Sequence, residues 1–317
     1  MAEKHWVDYK ERGSYFGIRI LLGFYRLGGR LLVKIGLLPI LLYFFLSSRA
    51  TRSASLDYLG RVYKHFGATP HLQTYPTWKE SFLHFWRFGQ AAVDKVDAWV
   101  GKLRIEDLEL GDVSHFESQL SQGKGALLIA NHFGNVEVCR ALVKERFSVR
   151  MNVIVFTEHA ANFNRILKDV NPSIDADLIQ ANAISPDLVI MLKDRVERGE
   201  CVVIVGDRVS VDSPNNVVWT DFLGKSAPFA IGPWILASVL SCPVYLMSCM
   251  QVQGKYRLDL QFLSEEIRIP RRNRNDELAH WVKRYATHLE HLVKTDPLQW
   301  YNFYNFWCLP ESDGRED

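Results

Sequence analysis

A histidine and a glutamate at the end of an apolar run are the residues of this chain best suited to proton-transfer chemistry. Ala126 to Ala130 has the pattern of a buried strand, His132 follows it, and Glu137 comes five residues later. Open α/β sheets build their sites at the carboxyl ends of strands, and histidine accepts a proton most readily near neutral pH. The spacing predicts a general base, His132, oriented by the carboxylate of Glu137.

The two side chains can meet only under a condition on the backbone. Five residues of continuous helix turn through roughly 500°, which would point them apart. We therefore expect His132 to precede the helix and Gly134-Asn135 to make the turn. The alternative is structural: Asn135 caps the helix and Glu137 is a favourable acid in its first turn. Asn131, Gly134 and Asn135 are predicted to line the substrate site beside His132.

A second cluster, Asp207-Arg208, directly follows the apolar segment 201–205. An arginine at the end of a strand suits a phosphate or a carboxylate, because its planar fork makes two parallel hydrogen bonds. Asp207 would position Arg208 as a local ion pair. A simple Asp-Arg turn without a ligand is the alternative.

Two weaker clusters could also contact an anionic substrate. Gly224-Lys225 lies in an expected loop before a helix at 229–240, where backbone N–H groups and a lysine could hold an anion. Arg165, in a predicted helix at 160–169, could reach a phosphate.

These clusters need a sheet to bring them together, and the alternation of apolar segments predicts one. We predict an α/β fold with a mixed, mostly parallel sheet flanked by helices. The predicted strands are 126–130, 151–156, 201–206, 243–252 and 256–263, the last two joined as a hairpin through Gly254-Lys255. The predicted helices are 57–66, 78–99, 135–146, 160–169, 186–198, 229–240 and 276–295. Residues 111–311 form the predicted core, after a helical lead-in at 53–110 and before a frayed tail at 312–317.

Composition narrows the class of protein. The chain has 317 residues, of which 48% are hydrophobic, so a large core is expected. A formal net charge of only +2 argues against a nucleic-acid partner. The five cysteines form no C-x-x-C pair and no metal-ligand spacing, so we expect neither a metal nor another cofactor.

The first 52 residues have the composition of a membrane anchor. They contain nine lysines and arginines against three acids, and residues 35–48 carry no charge. We predict a basic amphipathic helix leading into a short apolar piece kinked at Pro39, lying on an anionic membrane surface. The alternatives are a single span, for which fourteen uncharged residues are few, a signal peptide without a clear cleavage site, and a buried core helix.

With these blocks in order, residues 10–309 resemble the lysophospholipid acyltransferase superfamily, in the branch of the late acyltransferases of lipid A biosynthesis. The family's His-x4-acid block is matched by His132 and Glu137, and its strand ending in Asp-Arg by Asp207-Arg208. Its aromatic-x-Gly-x-x-Ala loop is matched from Phe222 to Ala227. The family also has a short N-terminal membrane anchor.

Two segments depart from the family pattern. The strand after the His block is followed by Phe156-Thr157-Glu158-His159 instead of an arginine-rich stretch. The C-terminal segment 300–307 is aromatic and free of basic residues, where the family has a Trp-x-His-x-Arg-Arg-like segment. Both departures favour an acceptor lipid other than lipid A.

The resemblance implies transfer of a fatty acyl group from a thioester to a hydroxyl of a membrane lipid or glycolipid, with His132 as general base. Acyl carrier protein or acyl-CoA would be the donor. Arg165, Arg208 and Lys225 would bind phosphate, and backbone N–H groups near Gly134, or Arg208, would stabilise the oxyanion. The expected location is the inner (cytoplasmic) membrane, bound as a peripheral or monotopic protein with the active site facing the cytoplasm. A non-catalytic lipid-binding subunit and a His-dependent hydrolase at the membrane are the alternatives.

Overall fold

The computed structural model describes residues 32–99, 102, 104–155, 177–180, 185–209 and 214–309. The strands are β1 Leu108–Leu110, β2 Ala126–Gly134, β3 Met151–Val155, β4 Asp177–Gln180, β5 Cys201–Val205, β6 Val217–Phe222, β7 Lys225–Ala230, β8 Val244–Val252 and β9 Lys255–Ser264. The helices are α1 Leu32–Ser47, α2 Arg49–Phe66, α3 Trp78–Trp99, α4 Ser114–Ser121, α5 Val136–Phe147, α6 Pro186–Glu197, α7 Gly232–Leu240 and α8 Arg274–Thr295. Short 3-10 turns lie at Ile105–Asp107, Arg271–Asn273 and Pro297–Gln299.

Seven strands form one sheet in the order β1-β9-β8-β2-β5-β3-β4. The five neighbouring strands β8, β2, β5, β3 and β4 run parallel to one another, and β9 pairs antiparallel with β8. The β8–β9 connection is a two-residue turn in which Gln253 and Gly254 have φ of 49° and 86°, as a tight hairpin requires. The predicted fold class and the predicted hairpin are confirmed, although the turn lies one residue earlier than predicted.

The central strand β2 is buried on both faces, which explains its unbroken apolar run. Side chains alternate along a strand, so Leu127 and Ile129 enter one core and Leu128 and Ala130 the other. The first core lies under α2, α6, α7, α8 and the C-terminal segment, and the second under α4 and α5. This layering fixes β2 and leaves its carboxyl end at the side of the sheet where its parallel neighbours also end.

The segment before α7 differs from the prediction. Residues 217–230 form a separate hairpin of β6 and β7, and α7 begins only at Gly232. Leu223 and Gly224 have φ of 51° and 73°, which is the backbone of a two-residue hairpin turn. The predicted loop ahead of a helix N-terminus at 229 is therefore wrong, because Lys225 and the residues after it are a strand.

At the N-terminal side, α1 runs through Pro39 without a break, and the chain turns by 90° at Ser48. The sharp bend therefore lies at Ser48, and a milder kink of α1 at Pro39 stays a prediction. The guanidinium of Arg52 donates to the carbonyl oxygens of Phe45 and Leu46, at the last turn of α1, and thereby holds the bend. Within the described ranges, no single helix is long and apolar enough to cross a membrane. Taken together, α1 and α2 meet both criteria, but the pair is bent by 90°.

Three predicted segments lie outside the described residues: the basic part of the anchor before residue 32, the helix at 160–169 with Arg165, and the tail at 312–317. The other predicted strands and helices are present. The short edge strands β1 and β4 were not predicted.

Candidate active site

The register of β2 against β5 brings the two main polar clusters together. Ala130 pairs with Val205, so the residues two positions further along each strand, His132 and Asp207, lie side by side. Parallel neighbours end at the same sheet edge, which is why two clusters 75 residues apart in sequence form one site.

The pair is held by direct hydrogen bonds. The Nδ1 atom of His132 lies 2.7 Å from Oδ1 of Asp207, and the backbone N–H of His132 donates to Oδ2 at 2.8 Å. The indole N–H of Trp300 donates to the same Oδ2 at 2.8 Å. Asp207 is almost completely buried, and three donors surround its two oxygens.

Electrostatic effects determine which atom of the His132–Asp207 pair carries the shared proton. Burial acts to raise the pKa of Asp207, but the neighbouring imidazole and the hydrogen bonds from His132 and Trp300 outweigh it, so the net pKa lies below the usual value. Burial, followed by the positive charge of Arg208, lowers the pKa of His132, and Asp207 opposes both effects. At neutral pH the carboxylate is charged and the imidazole is neutral, so Nδ1 carries the hydrogen and donates it to Asp207.

The other ring nitrogen is then a proton acceptor. The side chain of His132 is 31% exposed and Asp207 covers its Nδ1 edge, so Nε2 is the ring nitrogen that a substrate could reach. Nε2 has no hydrogen-bond partner among the described residues. A neutral imidazole with an accessible Nε2 and a carboxylate behind Nδ1 is the arrangement that a general base requires.

The turn after His132 depends on Gly134. Its φ is +70°, and a Cβ there would lie 1.9 Å from the carbonyl oxygen of Cys249. The next residue, Asn135, caps α5: its Oδ1 accepts from the N–H of Val138 at 3.4 Å, and its Nδ2 donates to Ala91 at 2.8 Å. His132 precedes the helix, as we predicted.

One predicted role needs correction. The carboxylate on Nδ1 of His132 belongs to Asp207, and not to Glu137 as predicted, so Asp207 orients the ring. The hydrogen bonds of Asp207 go to His132 and Trp300, and its predicted ion pair with Arg208 stays a prediction. Whether Glu137 contributes to the site in another way stays a prediction.

The remaining predicted residues fall into two groups. Asn131 is buried beside His132, and its Oδ1 accepts from the N–H of Phe133 at 3.1 Å. Arg208 is half-buried, lies 6.0 Å from the ring centre of Tyr304, and acts electrostatically on His132. These two belong to the neighbourhood of His132.

Gly224 and Lys225 lie at the turn of the β6–β7 hairpin, with Gly224 next to His65 of α2. A cavity of about 280 Å³ opens there, and it is lined mainly by residues of α2, which include neither His132 nor Asp207. A binding role for Gly224 and Lys225 stays a prediction. Such a role would belong to a region of the surface other than that of His132.

Sequence reasoning missed two contributors to the site. Trp300 was noted only as part of an aromatic segment, although an indole that is buried needs an acceptor, which is a signal for a polar partner. Lys95 of α3 lowers the pKa of His132 through its charge, and no pattern in the sequence pointed to it. Among the described residues, no group of histidine, cysteine and carboxylate side chains could hold a metal ion.

The sequence of this chain matches a known protein family. The family described as bacterial lipid A biosynthesis acyltransferase matches the chain over residues 79–308. The chain belongs to this family, and its activity is an acyltransferase activity that uses an acyl donor and a lipid acceptor. A search of curated proteins found no match.

The two carboxylates that could serve His132 are distinguishable by its pKa. We expect Asp207→Asn to lower the pKa of His132, because the carboxylate of Asp207 raises it, and Glu137→Gln to leave it unchanged. The measurement is the rate at which diethyl pyrocarbonate modifies His132 as a function of pH, followed by mass spectrometry of the peptide. A shift in Glu137→Gln without one in Asp207→Asn would return the orienting role to Glu137.

Proposed function

We propose that this protein transfers a fatty acyl group from a thioester to a hydroxyl of a membrane lipid or glycolipid, and that His132 is the general base. The observation that carries the proposal is the partly exposed imidazole whose Nδ1 is bound to a buried carboxylate and whose lowered pKa leaves it neutral. Family membership supports the acyl transfer itself.

The reaction is a direct transfer. Nε2 of His132 takes the hydroxyl proton as the acceptor oxygen bonds to the thioester carbonyl carbon, and the carbon–sulfur bond then breaks. The imidazolium returns the proton to the leaving thiolate, so no acyl-enzyme forms and no metal is needed. Asp207 stabilises the imidazolium between the two steps.

Positive charge around His132 supports phosphate-bearing substrates. Arg208 and Lys95 both act on the imidazole, and a guanidinium binds phosphate by two parallel hydrogen bonds. We infer that Arg208 binds a phosphate of the donor or of the acceptor. Acyl carrier protein, whose prosthetic arm carries a phosphate, is the proposed donor, and acyl-CoA is the alternative.

A large apolar surface supports membrane binding. We define the apolar face as the exposed large hydrophobic side chains of α1 and α3, which are Leu32, Ile35, Leu38, Ile40, Leu42, Tyr43, Phe44, Leu46, Trp78, Leu83 and Phe88. Soluble proteins rarely expose patches of this extent without a function. We propose that this face lies in the inner (cytoplasmic) membrane as a peripheral or monotopic contact, with His132 facing the cytoplasm.

The apolar face also leads to the base. Phe88, one of its members, packs on Tyr301 with the ring centres 5.5 Å apart. The backbone N–H of Tyr301 donates to the carbonyl of His132 at 3.2 Å. We therefore infer that the hydroxyl of an acceptor lipid can reach His132 while the lipid stays at the membrane surface.

We predict that His132→Ala lowers turnover by about 10²–10⁴-fold, the usual contribution of a general base, while the melting temperature stays near that of wild type. Turnover is measured as free thiol released from an acyl thioester, with lipids of cells lacking the protein as acceptor. His71→Ala, whose ring is exposed, is the control. More than about a tenth of wild-type turnover in His132→Ala would remove His132 from the mechanism.

The same proposal identifies the product in cells. Lipid mass spectrometry of cells with and without the protein should show one lipid that loses a single acyl chain. Fatty acid released at equal rates with and without acceptor would instead favour a hydrolase, and no thioester turnover with any lipid would favour a non-catalytic subunit.

For Arg208, we predict that Arg208→Lys is nearly as harmful as Arg208→Ala, because a point charge cannot replace the guanidinium fork. The loss should shrink with substrate analogues that lack the phosphate. Steady-state rates and melting curves are compared, with Arg146→Ala, an exposed arginine of α5, as control. Equal losses with and without the phosphate, accompanied by lower melting temperatures, would make Arg208 a structural residue.

For the membrane, we predict that replacing Ile35, Tyr43 and Leu46 by serine weakens binding to anionic vesicles at least tenfold, because each side chain is about 60% exposed and loses apolar contact with lipid. High salt should not release the wild-type protein, since apolar burial is not screened. The control is Ile190→Ser, equally exposed at 62% on α6. Release of wild type by salt alone, or unchanged binding of the triple variant, would contradict the apolar contact.

A further inference from the structure

We propose that Trp300 and His84 are positioning residues, which hold the carboxylate of Asp207 against His132 through a buried chain of hydrogen bonds. The inference rests on the proposed role of His132 as a base, and it assigns the C-terminal aromatic segment to the catalytic apparatus. Neither residue touches the reacting atoms.

The first link is the indole of Trp300. Its Nε1 lies 2.8 Å from Oδ2 of Asp207, and the side chain is 1% exposed. Three aromatic rings contact the indole edge-on, at centre distances of 5.0 to 5.3 Å, and fix its plane: Tyr58, Phe222 and Phe306. A rigid donor therefore faces the oxygen that also accepts from the backbone of His132.

The second link is the backbone of Trp300. Its carbonyl oxygen lies 2.9 Å from Nε2 of His84 on α3. Its neighbour Tyr301 donates to the carbonyl of His132, and Trp300 itself forms a bridge with Phe133. The segment is thus attached both to α3 and to the end of β2.

The third link fixes the tautomer of His84. Burial lowers the pKa of His84 to about 4, so the ring is neutral at physiological pH. A carbonyl oxygen only accepts, so Nε2 carries the hydrogen and donates to Trp300. Nδ1 must then accept from the hydroxyl of Ser55 at 3.0 Å, and Ser55 accepts from Ser81 at 3.0 Å. Every hydrogen in this chain has one assigned place.

The hydrogen bond from Trp300 to Asp207 also affects the pKa of His132. The indole N–H spreads the negative charge of Asp207, so removing it makes the carboxylate a stronger partner for the imidazolium and raises the pKa of His132. Among the described residues, the charged groups that act on His132 are Asp207, Arg208 and Lys95. The phenols of Tyr285 and Tyr304 also lie in the field of Asp207, but burial keeps the pKa of each above its ordinary value, so both stay neutral.

Trp300→Phe tests the first link, because phenylalanine keeps an aromatic ring and removes the donor. The matched control is Trp307→Phe: Trp307 is also buried in this aromatic cluster, but its indole donates to the carbonyl of Phe222 at 3.2 Å. The readout is the pH midpoint of His132 modification by diethyl pyrocarbonate, with melting temperatures beside it. We expect the midpoint to move to higher pH in Trp300→Phe alone, while both variants melt at lower temperature.

Turnover gives a second readout. We expect kcat of Trp300→Phe to fall by about 10- to 100-fold, the effect of losing a hydrogen bond to a charged group, with KM little changed. Equal midpoints in Trp300→Phe and Trp307→Phe would overturn the inference. A moved midpoint together with full turnover of His132→Ala would instead keep the positioning chain and remove the proposed base.

His84 supplies an independent test, which decides the question if Trp300→Phe does not fold. Glutamine can place an amide N–H where Nε2 of His84 lies, whereas phenylalanine cannot donate. We expect His84→Phe to lower kcat and to move the His132 midpoint, and His84→Gln to restore both in large part. Equal effects of the two substitutions would show that His84 only fills space.

Discussion

A carboxylate that is removed from water keeps its charge only when hydrogen-bond donors replace the lost solvent. Asp207 meets this condition with three donors, two from His132 and one from Trp300. The surrounding structure follows from the requirement. The register of β2 and β5 places the acid beside the imidazole, and the C-terminal segment supplies the third donor through Trp300. The imidazole is then neutral, oriented and open on its outer edge.

The same requirement explains the close packing around the end of β2. The carbonyl of Ala130 accepts from the hydroxyl of Tyr285 at 2.9 Å and from the N–H of Gly206 at 2.9 Å. Gly134 then allows the chain to pass within contact distance of Cys249 before α5 begins. The strand end is therefore held by α8, β5 and β8 together, so the position of His132 is set by regular secondary structure.

The sequence predicted the elements that carry their own pattern. The apolar run of β2 and the alternation of strands and helices predicted the sheet, and the position of His132 predicted that it lies near the carboxyl end of a strand. The identity of its partner carboxylate could not be predicted, because it depends on strand register, which a local pattern does not encode. Glu137 is closer in sequence, but the carboxylate bonded to Nδ1 of His132 is that of Asp207. The β6–β7 hairpin was missed because its turn uses Leu223, a residue type that rarely adopts positive φ.

The Trp300 donor has a consequence for how the protein is made. Its hydrogen bonds join residues 93 and 216 positions apart, to Asp207 and to His84. Contacts of such long range close large loops, and the entropy cost of closure slows their formation. During synthesis the N-terminal helices leave the ribosome first, and Asp207 gains its third donor only when Trp300 has been made. A chain shortened before residue 300 would contain His132 and Asp207 and would still lack that donor, so the pair would be incomplete until the end of translation.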